Sequence, residues 1–150
     1  MRNVLIATLL ILLGMGCVSQ LSIEEEVAGA SVEFPNEVVV HVDLADDYWE
    51  RIQGLSGRSS LEVDEGLLFL FPETEVQRFW MKDMQFPIDI IWIEQDRVVG
   101  FVESAQPENP PTTIYTSPTA VDKVLEVSAG FVTKNDVKIG DILDIQLVDE

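Results

Sequence analysis

The stretch Arg78–Ile93 reads RFWMKDMQFPIDIIWI, and its reading decides the fold class. It packs four aromatic residues, two methionines, two cations and two aspartates around one proline, Pro87. Arg78 to Lys82 reads as a strand. Pro87 interrupts, and Ile88 to Glu94 forms another strand. Gln95 and Asp96 supply a turn and Arg97 to Glu103 return, which makes a hairpin. Side-chain alternation splits the stretch: Phe79, Met81, Phe86, Ile88, Ile90 and Trp92 serve the core, while Trp80, Lys82 and Asp89 point away from it.

Short strands also surround this stretch. Upstream, Gly66–Phe71 (GLLFLF) is a continuous apolar run of strand length, expected to be covered on both faces and ended by Pro72. Glu37 to Asp43 alternates, with Val38, Val40 and Val42 on one face and Val39, His41 and Asp43 on the other. Between them, Asp47 to Gln53 has the signature of a short helix. Asp47 can cap the amides, Glu50 occupies the capping-box position and Gly54 stops the helix. Tyr48 or Trp49, with Ile52, is expected to dock it onto the sheet. Two glycines in GLSGR (54–58) mark a tight turn from which Arg58 projects, either to an internal carboxylate or to a bound anion.

Downstream, Gln106 to Pro118 holds four prolines and is expected to be a long irregular loop. Val121–Val127 is a strand closed by Ala129 and Gly130, Phe131–Lys138 forms a short helical turn, and Ile142–Val148 is the last strand. About seven short strands with one or two short helices predict a mainly-β domain, an antiparallel β-sandwich or barrel.

The charge balance bounds the partners. With 27 acidic residues against 9 basic ones and a formal charge of -18, the chain has few groups to neutralise phosphates, which argues against nucleic acid. Anionic membrane surfaces repel it for the same reason. Such acidity suits solubility at high salt or in a crowded exterior.

The N-terminus reads differently. One positive charge in Met1–Asn3, an apolar run from Val4 to Leu13, and Gly14, Met15 and Gly16 before Cys17 have the order of a secretory signal. A cysteine after small residues resembles a lipoprotein lipobox, although Gly14 stands where a leucine-like residue is usual. Cys17 is therefore the candidate for lipidation, with an uncleaved anchor as the alternative. The apolar run is shorter than the ~20 residues a full span needs. Residues 18–35, with Glu24, Glu25 and Glu26 in a row, read as an acidic flexible linker, which leaves 36–150 as a single domain. The protein is thus expected to be exported, membrane-anchored and outward-facing.

Much chemistry is excluded. One histidine, on a strand face away from the core, and one cysteine, in the signal-like segment, give no zinc or haem site of the usual kinds. Glycine-rich phosphate loops, a nucleophile-elbow serine and a DxDxDG calcium loop are missing from the sequence. No cofactor and no metal is expected. Carboxylate chemistry or plain binding remains, with Asp83 and Asp89 as the obvious pair and Glu126 as a third candidate.

Five motifs in order, GLSGR (54–58), GLLFLF (66–71), FWMKDMQFPIDIIWI (79–93), VLEVSAG (124–130) and KIGD (138–141), resemble the family called domain of unknown function 192. The resemblance covers about Val38 to Val148. It implies a small mainly-β domain, often exported or membrane-tethered in bacteria and archaea, with no established activity. Where the family usually has asparagine and threonine after FWMK, this chain has Asp83 and Met84, and an ionised aspartate only accepts hydrogen bonds. The polar and aromatic positions that match the family are Arg58, Trp80, Lys82, Asp89 and Glu126.

Three readings follow. The domain is a scaffold or interaction module whose motif builds the core; or it binds a small ligand, a sugar or envelope component, through these five residues beside a proline-rich lid; or it is an envelope hydrolase using the Asp89 and Glu126 carboxylates. Convergence of the charged heads on an open concavity favours binding or catalysis, and their mutual pairing below the surface favours the scaffold.

Overall fold

The computed structural model describes residues 30–147. The signal-like segment, Cys17, residues 18–29 of the acidic stretch and Val148 lie outside the described residues.

The strands are β1 (Ser31–Glu33), β2 (Val39–Ala45), β3 (Glu65–Glu75), β4 (Arg78–Phe79), β5 (Ile88–Glu94), β6 (Arg97–Ala105), β7 (Tyr115–Thr116), β8 (Val121–Ser128) and β9 (Asp144–Gln146); the helices are α1 (Tyr48–Gln53) and α2 (Phe131–Lys134). Seven strands form one sheet in the order β6-β5-β8-β3-β2-β1-β9, and β4 pairs with β7 in a separate ribbon. The sheet curls into a half-barrel, so the expected mainly-β, barrel-like architecture holds. At one end its two edges are joined. Val98 at the start of β6 donates to Asp141 O at 2.9 Å and accepts from Gly140 N at 2.8 Å, while Leu143 N donates to Asp96 O at 2.8 Å. One pair departs from the antiparallel expectation: β2 and β3 run parallel, from His41 opposite Glu65 to Ala45 opposite Phe69. Parallel neighbours need a long crossover, and α1 with the following turn supplies it.

Both faces of the sheet are buried, and each carries its own apolar cluster. One gathers Val32, Val40, Val42, Leu68, Ile91, Ile93, Leu125 and Val127 with Phe131 and Val132 of α2. The other gathers Leu67, Phe69, Ile88, Ile90, Trp92 and Val124 under Leu55 and Met81 from the connecting segments. Each fully buried branched or aromatic side chain contributes ~1.5–3 kcal/mol relative to exposure, so this two-sided packing carries the fold. The hairpin β5–β6 forms where the sequence places it, with Gln95 in the left-handed region at its turn (φ 58).

Several expectations are corrected. The linker does not extend to residue 35, because Val32 is fully buried and β1 pairs with both β2 and β9. Helix α1 has its capping box, with Asp47 Oδ1 accepting from Trp49 N and Glu50 N, but Tyr48, Trp49 and Ile52 do not dock it. None of its residues is buried, and Trp49 is 74% exposed. Pro72 does not end β3, which runs on to Glu75 with a break in its pairing to β8 between Leu70 and Glu75. The strand expected over Arg78–Lys82 shrinks to Arg78–Phe79, since Asp83 (φ 56) turns the chain soon after. The last strand is confined to Asp144–Gln146, with Ile142 exposed and Leu143 buried.

Candidate functional site

Glu126 lies in the middle of β8, opposite Leu67 of β3 and Ile90 of β5. Those neighbours put its side chain into the second apolar cluster, where it is 5% exposed and its Oε2 has no hydrogen-bond partner among the described residues. Burial pushes its pKa from 4.5 up to about 8, against the opposing pull of the Arg58 charge. At neutral pH the group is therefore mostly a neutral carboxylic acid, able both to donate and to accept a hydrogen bond.

The turn after α1 leaves space above it. Gly54 has φ 49, and a Cβ there would stand 3.3 Å from Phe69 Cζ and 4.0 Å from Glu126 Oε2. Glu126 thus forms the floor of a small open cleft of about 120 Å³. One wall is the α1 turn, with Arg51, Gly54 and Ser56, and the other is Arg78, Phe79 and Trp80. Aromatic packing shapes that end: Phe79 meets Phe69 edge-on at 4.8 Å and Phe71 at 6.5 Å between centroids. Met84 and Phe71 complete the apolar lining. The two walls are tied together below, because Ser56 Oγ donates to Lys82 O at 2.8 Å and Gly57 N donates to Asp83 O at 3.1 Å.

The sequence candidates divide into three groups. Glu126 and Trp80 line this cleft together, and Trp80 is 51% exposed. Arg58 and Lys82 flank it. Arg58 Nη2 pairs with Asp43 Oδ2 at 2.8 Å, both partly exposed, and Lys82 Nζ rests 5.9 Å from the centre of the Trp80 ring. Asp89 belongs elsewhere. It does point away from Ile88 and Ile90, but the face it points to is equally buried, so it is not exposed. There Oδ1 accepts from Ser104 N at 2.8 Å and Gly130 N at 3.2 Å, and Oδ2 accepts from Val132 N at 2.9 Å. Asp89 therefore fastens β6 and the start of α2 to β5. Asp83 is exposed on the turn after Lys82.

The proline-rich loop is not a loose lid. Glu108 accepts from the backbone and hydroxyl of both Thr112 and Thr113, which holds its carboxyl down at about 2. Its own amide donates to Met81 O at 3.3 Å, and β7 at the end of the loop pairs with β4. Arg51, Arg78 and the phenylalanines of the lining were not among the sequence candidates. A usable signal existed for the arginines: with 9 basic residues in 150, the place of each one is informative.

The comparisons with known proteins fit this architecture. The model of DUF192, described as "Uncharacterized ACR", matches residues 31–145. The chain belongs to this family. Solved structures that resemble this DUF192 domain include two from bacteria. A protein of unknown function from Novosphingobium aromaticivorans DSM 12444 is 28% identical, with a TM-score of 0.70 over 77% of this chain and 82% of that one. A protein from Sinorhizobium meliloti 1021, described as a "putative transcription regulator", is 33% identical, with a TM-score of 0.70 over 77% and 91%. No curated protein matches the DUF192 domain.

Proposed function

We propose that this DUF192 domain is an outward-facing module, tethered through its N-terminal segment, that binds a small polyhydroxylated ligand of the sugar class in the Glu126 cleft. One observation carries the reading: a buried carboxyl group whose Oε2 has no partner among the described residues sits at the floor of an open, aromatic-walled cleft. Leaving a buried polar atom unsatisfied costs stability, on the order of 1–3 kcal/mol, and a sugar hydroxyl supplies the missing bond. Phe79 and Trp80 offer apolar faces for a sugar ring, while the neutral Glu126 orients its hydroxyls.

A regulator role like the one named for the Sinorhizobium protein finds little support here, since a charge of -18 opposes phosphate contacts. Hydrolysis by paired carboxylates lacks its geometry, because Asp89 is committed to backbone amides on the other face. The scaffold reading accounts for Asp89 but not for Glu126.

The test is a thermal-shift panel of neutral and acidic sugars on the wild type and on Glu126→Leu. Binding at 100 times Kd stabilises by ~2.7 kcal/mol, so a real ligand raises the wild-type Tm by several degrees. The variant folds and shows no shift. A panel without any hit, or hits that persist in Glu126→Leu, contradicts the reading.

A further inference from the structure

The cations around the cleft narrow the ligand class further. Acidic residues outnumber basic ones 27 to 9 in this chain, yet Arg51 and Arg78 both line the cleft that holds Glu126. Lys82 stands beside it over Trp80. None of the three has a carboxylate partner among the described residues, nor do Arg97 and Lys134, whereas Arg58, Lys123 and Lys138 are each paired.

Arg51 is held in place without being neutralised. Its Nη1 donates to the carbonyls of Asp46 and Leu70, and its guanidinium lies 5.7 Å from the Phe71 ring centre. Both bonds use the same nitrogen, so Nη2 and Nε keep donors for a further acceptor. Phe71 stands next to Phe79, the neighbour of Arg78, so the two arginines mark the same aromatic end of the cleft. A fixed, unneutralised guanidinium such as that of Arg51 suits an oxyanion, which it binds through paired N–H donors, and the exposed Arg78 adds a second positive charge.

We infer that the cleft takes an acidic sugar, with its carboxylate or phosphate held by Arg51 and Arg78 and its hydroxyls by Glu126. This inference rests on the sugar-binding reading above and adds the charge. It also gives the acidic surface a consequence. General repulsion of anions is opposed where these arginines stand, so recognition weakens as salt screens them.

Isothermal titration of the full chain in mild detergent at pH 7 and low salt tests it, with glucose and galactose against glucuronate, galacturonate and glucose 6-phosphate. At least one acidic sugar is expected to bind about tenfold or more tightly than its neutral parent, the size of one charge-assisted bond. Uronates alone showing the gain identify a carboxylate, and the phosphate ester alone identifies a phosphate. Arg78→Gln removes the preference of acidic over neutral sugar. Equal affinity for acidic and neutral sugars overturns this inference while leaving sugar binding intact. Absence of binding by every sugar overturns both. A preference that survives both Arg78→Gln and Arg51→Gln places the anion elsewhere and overturns the inference alone.

Discussion

Asp89 and Glu126 sit on adjacent strands and face opposite sides of the sheet, because Ile90, not Asp89, stands across from Glu126 in the β5–β8 register. A one-residue offset along a strand moves a side chain to the other face. The two carboxylates therefore have separate physical roles. Asp89 saturates its oxygens with three amides, and Glu126 has an oxygen with no partner among the described residues.

Glu126 makes stability depend on pH in an unusual direction for a carboxylate. Its folded pKa is raised from 4.5 to about 8, so the native state binds the proton more tightly than the unfolded one. Its stabilising effect is complete below about pH 4.5 and is lost as pH rises through 8. Glu126→Gln removes this titration. The variant should match the wild type at pH 5 and exceed it at pH 9, by on the order of a few kcal/mol in urea unfolding. Parallel pH profiles for the two proteins contradict a buried, neutral Glu126.

For Asp89 the expectation is the reverse of a catalytic residue. Asparagine supplies one acceptor oxygen and turns its amide group toward backbone donors. Asp89→Asn should cost ~2–4 kcal/mol, with Tm lower by roughly 10 °C, while leaving the cleft's ligand specificity unchanged. A variant with wild-type Tm would remove the structural role assigned here.

The same register explains what the sequence made legible. Alternation in Val38, Val40 and Val42, the two-residue turn at Gln95–Asp96 and the Asp47–Glu50 box are local patterns, and each forms as read. The three-residue β1 is too short to carry a period, so it merged with the acidic stretch before it. Asp89 is buried although it leaves the face of Ile88 and Ile90, because alternation reports which face a residue joins, not whether that face is covered. The cleft is non-local: it needs Gly54, Phe79 and Glu126 brought together from three separated segments, and no spacing in the chain encodes that. Alternation points to Trp80 and the inventory of carboxylates to Glu126, and both match the family, without the geometry that unites them.

Gly66 opens β3 at a close approach. A Cβ there would lie 3.0 Å from the backbone oxygen of Glu126, 3.0 Å from Val40 Cγ1 and 3.1 Å from Leu125 Cδ1. Gly66→Ala should therefore destabilise by about 1–3 kcal/mol through overpacking, seen as a lower urea midpoint with an unchanged slope. An unchanged midpoint means that β3 and β8 have room to part.

Tethering is tested separately from binding. Cys17→Ser should move the protein from the membrane to the soluble fraction after cell fractionation, provided lipid on that thiol is the anchor. Retention in the membrane fraction assigns the anchoring to the apolar run Val4–Leu13 instead.

The most direct measurement of the Glu126 cleft is a backbone amide NMR titration of the protein with the sugar that gives the largest thermal shift. Perturbations should cluster at Gly54, Ser56, Phe79, Trp80 and Glu126, and should vanish in Glu126→Leu. Shifts confined to the 106–113 loop or to the β1–β9 edge, with those five amides unmoved, would contradict ligand binding at this site.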